Sequence, residues 1–381
     1  MNAKVLTLKE KVVVLGITGS IAAVEDIKLA RSLRRKGAIV QGVMSDAACG
    51  IIHPDSVTYA CDRETITKIS GMIEHVKYCG IGGCADILLI APATANTICK
   101  IAAGIDDTPV TTFATTAIGR GMPVVIVPAM HESMYRHPAV TDSIEKLKSW
   151  GIVFSDPNIS ENKAKIASSQ EIILTVERSV MGRPLEGKKV LITGGACRER
   201  IDDVRVMTTR ASGRMGREIA LFGYRLGADV TIIHNGDEIP FVENVYAESA
   251  DDMRKAVHDL LSGRDYDYYI SSAAISDYKP EYYEGKIPSG AEISLGLLKL
   301  PKLISEVLSK YDVKTVAFKL GWDESQKALN MIDSGVDMVL VNTPDSMGGA
   351  TGNYTILKKG WSREISGDKE EVAAAIWEEL L

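Results

Sequence analysis

No uninterrupted apolar run in this chain reaches the roughly 20 residues that a membrane-spanning helix needs. The N-terminus has no apolar core beside basic residues, so no secretory signal is expected. Positive charge is not in excess: 44 Lys and Arg stand against 50 Asp and Glu, a net charge of −6. Broad nucleic-acid affinity needs a basic face and is excluded on that ground. Phosphate binding is not excluded, because helix N-termini and a few Lys or Arg residues hold anions even on an acidic protein. The six cysteines lack disulfide-like spacing, which points to a reducing compartment, expected to be the cytoplasm. They also lack metal-knuckle spacing: Cys79 and Cys84 are too far apart, and neither they nor Cys99 are joined by a second close pair. Low-complexity tracts, short-period repeats and a Walker A loop are absent as well.

What is present is one pattern used twice. A chain of 381 residues is too long for one ordinary core, so two domains are expected. Lys11-Val12-Val13-Val14-Leu15 and Lys189-Val190-Leu191-Ile192-Thr193 are short apolar runs, each followed by a glycine turn. The stretch from Ser179 to Gly187 is rich in breakers and marks a boundary, giving domains 1–181 and 182–381. Further strands are expected near 39–44, 86–91, 123–127 and 151–154, then near 229–233, 267–271, 314–318 and 337–341. Such alternation with helical segments predicts two doubly wound, mainly parallel α/β sheets, three-layer and Rossmann-like.

The first half carries small polar residues at its strand ends. Ala91-Pro92-Ala93-Thr94-Ala95-Asn96-Thr97 follows a buried-strand pattern. Backbone N–H groups, Thr hydroxyls and an Asn amide there suit a flat heterocycle or a phosphate. Gly16-Ile17-Thr18-Gly19-Ser20 and Ser45-Asp46-Ala47-Ala48 end two other strands in the same way. Taken alone, a glycine turn is equally a simple tight turn. Asp46 is the only candidate for the acid that a dinucleotide ribose requires. A two-domain nicotinamide oxidoreductase therefore rests on the glycine turns alone.

These segments, continued through Lys100 to Asp107 and Thr111-Thr112, resemble the flavin-binding core of the phosphopantothenoylcysteine decarboxylase family. The resemblance implies a flavodoxin-like domain with FMN bound by Gly19, Ser20, Ser45, Ala93, Thr94, Ala95 and Asn96. His75, in Glu74-His75-Val76, matches that family's active-site His, a residue suited to moving protons near neutrality. In the chemistry that the family implies, flavin oxidises the substrate's cysteinyl thiol to a thioaldehyde. Carbon dioxide then leaves, and the enethiolate is reduced again. Pro128-Ala129-Met130-His131-Glu132-Ser133-Met134 matches the substrate motif, with Met130 and Met134 as contacts. His131 stands where the family has the Asn that holds the substrate carboxylate, and is equally placed to lie near a helix cap. The family's flap carries a Cys as proton donor, whereas segment 156–167 here has none. Cys84 is a candidate replacement, and Lys163 and Lys165 either grip phosphate or form a solvated face.

In the second half, Gly194-Gly195 with Arg205, then Ser212-Gly213, then Ala274 to Asp277, then Asn342 form an ordered set. Together they resemble the phosphopantothenate–cysteine ligase signature. The resemblance implies a carboxylate activated by CTP as an acyl cytidylate and displaced by the amine of cysteine. Asp277 would hold nucleotide or Mg²⁺, Lys286 would be catalytic, and Lys299, Phe318 and Lys319 would meet the nucleotide. Departures are Thr209 in place of the family's Asn and a lysine motif reduced to Lys286-Ile287-Pro288-Ser289. They suggest an archaeal-type branch.

The paired order implies a bifunctional enzyme of coenzyme A biosynthesis. Its substrates would be 4′-phosphopantothenate, cysteine and CTP, its product 4′-phosphopantetheine. The family implies homo-oligomers, with trimeric flavoprotein domains and paired ligase domains. The alternative is a non-catalytic or ligase-only protein that binds flavin and nucleotide and serves regulation.

Overall fold

Apolar residues alternate between two faces along each buried strand, and that alternation builds the first unit, Leu6–Gly182. Val13, Leu15, Ile17, Leu89 and Ala91 face one cluster with Leu29, Leu33, Val57 and Ile172. Val14, Leu88, Ile90 and Ile126 face the other, with Ile98, Phe113 and Ile144. A parallel sheet has helices on both faces, so its strands read as continuous apolar runs. The sequence therefore shows the strands plainly. A computed structural model gives the coordinates, which describe residues 5–155, 158–160, 163–290 and 292–381, with the backbone alone at 158–160 and 163–165.

The five parallel strands of this unit lie in the order Ile39–Met44, Val12–Ile17, Ile87–Ala93, Val124–Pro128, Val153–Phe154. Numbered along the chain, that is 2-1-3-4-5, the flavodoxin-like order, with its switch point between the first and third strands. A separate small sheet pairs Met130–His131 with Lys163–Lys165 and that strand with Asn158–Ser160, all antiparallel.

The second unit contains Arg183–Leu381. Its sheet runs Glu243–Tyr246, Asp229–His234, Lys189–Thr193, Tyr268–Ser271, Lys314–Leu320, Met338–Asn342, then Thr351–Lys358 and Trp361–Asp368. The first six strands are parallel in the order 3-2-1-4-5-6 of dinucleotide-binding sheets, and the last two are antiparallel. Trp377 is fully buried on one face and donates its indole N–H to the carbonyl of Ile219 at 3.0 Å. Gly223 permits that approach, since a Cβ there would lie 2.9 Å from the Trp377 ring.

All ten expected strands are present, most within a residue or two of the expected positions. Three strands of the two main sheets were not expected: Glu243–Tyr246, Thr351–Lys358 and Trp361–Asp368. The first and last are the two edge strands, exposed along much of their length, so they lack the apolar run that marks a strand covered on both faces.

One buried group opposes this packing. Asp26 opens helix Asp26–Arg35, is 1 % exposed, and neither carboxyl oxygen has a hydrogen-bond partner. Burial, with the charge of Glu25 adding to it, pushes its pKa well above the ordinary carboxylate value. A carboxyl whose folded pKa is raised binds more protons folded than unfolded. Stability therefore falls as pH rises from about 3.9, the unfolded value, toward the folded one. Asp26→Asn is expected to be more stable than the parent at pH 7 by about 1–3 kcal/mol. Urea unfolding across a pH series should show that advantage growing with pH from about 4 and then levelling off.

Candidate active sites

In the first unit, three strand ends turn into helices at one edge of the sheet. Ser20 caps Ile21–Glu25 by accepting from the N–H of Ala22, Ser45 caps Asp46–Cys49, and Thr94 caps Ala95–Ala103. Short polar side chains at these positions satisfy the first N–H groups of a helix and favour its start. Thr18 ties two of the turns together. It is buried, donates to the carbonyl of Pro92 at 2.6 Å and accepts from the N–H of Thr94 at 3.1 Å. Ser45 joins the third through its N–H to the carbonyl of Ile17 at 3.1 Å. Gly19 lies so close to Ala47 that a Cβ on it would sit 2.5 Å from the Ala47 Cβ. Ala93 and Ala95 are buried, whereas Asn96 projects from the first helical turn and is exposed. The residues expected to hold the cofactor thus lie at the carboxyl ends of the first three strands.

Such a set fits a flavin mononucleotide by its donors. Small residues admit a ring, and neighbouring helix N-termini offer N–H groups to a phosphate. Lys100 pairs with Asp107 at 2.6 Å, and Thr108 and Thr111 form a capping box at the next helix, Pro109–Arg120. Asp46 is exposed in the first turn of its short helix.

The expected catalytic side chains lie on other elements, and the motif of His131 is tied to this cluster: Ser20 Oγ donates to the carbonyl of Ala129 at 3.3 Å, and Ala129 N–H donates to that of Ala93 at 3.0 Å. His75 lies in the first turn of Glu74–Cys79, half-buried, with its Nδ1 out of solvent and without a hydrogen-bond partner among the described residues. Around it Met72, Ile73 and Val76 are exposed. His131 is exposed and occupies the N-cap of Glu132–Tyr135 without a side-chain cap bond, which leaves its imidazole uncommitted. Its backbone pairs with Lys163, and Met130 pairs with Ala164, so the hairpin after the fifth strand is stitched to this motif. Met130 is half-buried and Met134 exposed. The flap side chains, Lys163 and Lys165 among them, lie outside the described residues.

Cys84 does not replace the flap thiol within one chain. It precedes strand Ile87–Ala93, whose far end opens into the crevice, so roughly 20 Å of strand separates the two. Burial pushes the thiol of nearby Cys79 up to about 12.

In the second unit the corresponding crevice lies where strands Lys189–Thr193 and Tyr268–Ser271 meet. Ser272 Oγ donates to the carbonyl of Thr193 at 2.7 Å, and Ala274 N–H to that of Gly195 at 2.8 Å. Gly195 has φ +84°. Gly216 lets helix Arg214–Arg225 approach, since a Cβ there would lie 2.9 Å from Ser272 Oγ and 3.0 Å from Gly194 Cα. Gly213 caps that helix at φ +73°. A cavity of about 720 Å³ opens here, lined by Gly194, Gly195, Arg198, Thr209, Ser212, Gly213, Arg214, Arg217 and the 234–239 loop. Its second strand ends in His234-Asn235 rather than an acid, and Asn235 donates to the carbonyl of Ala196 at 2.6 Å. Asp237 and Glu238 follow within a few residues and also line the cavity.

The other expected ligands lie on separate elements, and none of them is among the residues that line this cavity. Arg205 is engaged by Asp202, which also accepts from the N–H groups of Val204, Arg205 and Ile287. Burial raises the Asp202 carboxyl, but those N–H groups and the guanidinium outweigh it and hold it at about 2. This clamp fixes Ile287 and leaves its neighbour Lys286 exposed, without an ion pair. Asp277 is ion-paired with Lys302, a residue that the sequence did not single out because an isolated Lys after Pro301 carries no pattern. Among the described residues no group of three or more His, Cys, Asp or Glu is arranged to hold a metal ion. Lys299 is exposed on strand Leu297–Lys299, opposite Tyr278. Phe318 is half-buried, and Lys319 faces Glu324 at 3.6 Å. Asn342 Nδ2 donates to Ser346 Oγ at 2.7 Å.

Two family descriptions match the chain: Flavoprotein over residues 2–181, and DNA/pantothenate metabolism flavoprotein C-terminal domain over residues 185–381. A coenzyme A biosynthesis bifunctional protein CoaBC from Thermococcus kodakarensis is 42% identical, covering 97% of this chain and 94% of that one. The protein of the same description from Methanocaldococcus jannaschii is 34% identical, over 98% of this chain and 94% of its own. A crystal structure of a CoaBC C-terminal domain is 28% identical at a TM-score of 0.44, covering 52% of this chain and 96% of that one.

Thr18→Val keeps the shape of the hub but removes both hydrogen bonds of its hydroxyl. It is expected to weaken flavin retention roughly tenfold or more. Visible absorbance remaining after extensive dialysis, compared with the parent protein, measures the loss.

Proposed function

The chain belongs to the bifunctional coenzyme A biosynthesis proteins, and from that premise we propose how its residues divide the work. It is an enzyme with decarboxylase and ligase activities, built from a flavoprotein half and a ligase half. The proposed division is decarboxylation within residues 1–181 and ligation within residues 182–381. The observation that carries the first assignment is the hub at Thr18, which draws helix N-termini around one crevice.

In this reading the flavin is FMN. The helix N-termini that follow Ser20, Ser45 and Thr94 would hold its phosphate, and Gly19, Ala93, Ala95 and Asn96 would border its ring. A bound flavin supplies a reversible two-electron sink. The chain's own residues handle charge and protons. His131 holds the substrate carboxylate with its uncommitted imidazole, Met130 and Met134 flank it, and the hairpin paired to Met130–His131 closes over that end. His75 moves a proton through its buried Nδ1, which has no protein partner and is free to meet a ligand.

In the second half, 4′-phosphopantothenate attacks the α-phosphate of CTP through its carboxylate. Pyrophosphate leaves, and the amine of cysteine then displaces CMP from the acyl cytidylate. The triphosphate takes the cavity beside Gly195, Ser212 and Gly213, with Arg214 and Arg217 compensating its charge. Lys286, held out by the Asp202 clamp, meets the charge that develops at the reacting phosphate. Lys299, Lys319, Phe318, Ala274 and Asn342 flank the nucleotide, and Arg205 keeps Lys286 in place. Asp277 is released from Lys302 when ligand binds. Mg²⁺ would accompany the phosphates and keep most of its waters, with Asp277 as the carboxylate that would hold it or the nucleotide. Thr209 replaces an amide with a hydroxyl in the cavity wall.

The protein is proposed to act as a cytoplasmic homo-oligomer. Ile21, Met72 and Ile81 in the first unit, and Tyr278, Leu297 and Leu298 in the second, are large apolar side chains left exposed. Contact through Met72, Ile73 and Val76 would bring His75 to the crevice of a neighbouring copy.

His75→Asn is expected to abolish carbon dioxide release from phosphopantothenoylcysteine while leaving ligation intact. Mass analysis of both reactions decides it, and equal loss of the two activities would count against the assignment. With phosphopantothenate, cysteine and Mg²⁺, CTP is expected to support ligation better than ATP. Equal rates would remove the nucleotide assignment.

A further inference from the structure

A buried ammonium group needs a counter-charge or several dipoles, because removing it from water is costly. Lys369 opens the C-terminal helix Lys369–Leu380 and is 7 % exposed, yet it makes no ion pair among the described residues. The acids around it are committed elsewhere. Glu370 pairs with Arg225 at 3.0 Å, Glu371 accepts from the N–H of Asp368, and Asp368 accepts from that of Glu371. Its place is unfavourable in a second way, since a helix N-terminus repels a cation. Burial, and then the charge of Arg214, lower its pKa.

What Lys369 does contact is the connection between strands Met338–Asn342 and Thr351–Lys358. Its Nζ donates to the carbonyl of Ser346 at 3.2 Å and to the hydroxyl of Tyr354, over whose ring it lies. Ser346 Oγ donates to the carbonyl of Thr343 at 2.7 Å and accepts from Asn342 Nδ2. The loop is tight against its surroundings. A Cβ on Gly352 would meet Ser346 Cβ at 2.7 Å and Lys369 Nζ at 3.3 Å, and one on Gly348 would meet the carbonyl of Arg210 at 3.2 Å. Arg210 leads into Ser212, Gly213 and Arg214, which line the 720 Å³ cavity.

We propose that Lys369 is a positioning residue of the ligase site: its ammonium holds the 343–350 loop so that Asn342 and the turn at Gly348 brace the 210–214 wall. The nucleotide's phosphates then supply the negative charge that Lys369 and Arg214 together lack. This rests on the ligase reading above and deepens it, since it assigns nucleotide affinity to a residue outside the cavity. A tether that only stabilised the fold would loosen all substrates alike, whereas this one acts on the wall beside the phosphates.

The test uses the full-length protein, with ligation by the parent measured first. A parent that performs no nucleotide-dependent ligation would refute the ligase reading itself, before any variant is made. Lys369→Met is expected to raise the KM for CTP roughly tenfold, the size of a lost hydrogen bond to a charged group, with kcat and the KM for cysteine changed far less. The thermal upshift produced by CTP should shrink in parallel. A folded Lys369→Met protein whose CTP KM is close to that of the parent would overturn the proposal. So would an equal rise in KM for all three substrates. If Lys369→Met does not fold, Tyr354→Phe keeps the ring and removes one acceptor. It is expected to raise the CTP KM alone, by roughly threefold, and an unchanged value overturns the proposal.

Discussion

A parallel sheet delivers every strand's carboxyl end to the same edge, and at one place in each sheet the chain reverses the direction in which strands are added. Connections on either side of that place leave in opposite directions, so a crevice opens between them. Both units depend on this constraint. In the first, the order 2-1-3-4-5 puts the crevice between Val12–Ile17 and Ile87–Ala93. In the second, 3-2-1-4-5-6 puts it between Lys189–Thr193 and Tyr268–Ser271.

The same geometry is furnished for two chemistries. The first crevice is closed in by Ser, Thr and Ala, with hydroxyls already spent on helix caps and on each other's turns. Such a rigid, uncharged surround suits a cofactor that stays bound, because little conformational entropy remains to be lost. The second is open, walled by Arg198, Arg214 and Arg217 together with Asp237 and Glu238. Cationic side chains on separate elements suit polyanionic substrates that enter, react and leave, since their charge is matched without a permanent enclosure. Exposed lysines such as Lys286 and Lys299 cost the folded state little, because their charge stays in water.

Much of this was legible before any coordinates. Residues covered on both faces read as apolar runs, so the central strands of both sheets stood out. The residues proposed to hold the flavin stood out because they are contiguous with those strand ends: a turn and the cap that follows it are set by neighbours in the chain. Strands Thr351–Lys358 and Trp361–Asp368 were not, since they carry no such run. The Asp202 clamp, the Asp277–Lys302 pair and the hub role of Thr18 join residues far apart in the chain, and no local pattern announces such contacts. Cys84 shows the converse error: closeness in sequence to a site-forming strand was offset by the length of the strand itself.

The amino-acid order by itself determined the two-sheet architecture, the switch-point turns and the family, because periodicity, glycine turns and caps act over a few residues. Only the tertiary structure decided which charges are committed and which are free. Lys369 has the composition of any surface lysine, and Asp26 that of any helix-starting acid. Both are buried, one without a counter-ion and the other without a hydrogen-bond partner, and burial is a property of what the rest of the chain packs around a residue rather than of the residue or its neighbours.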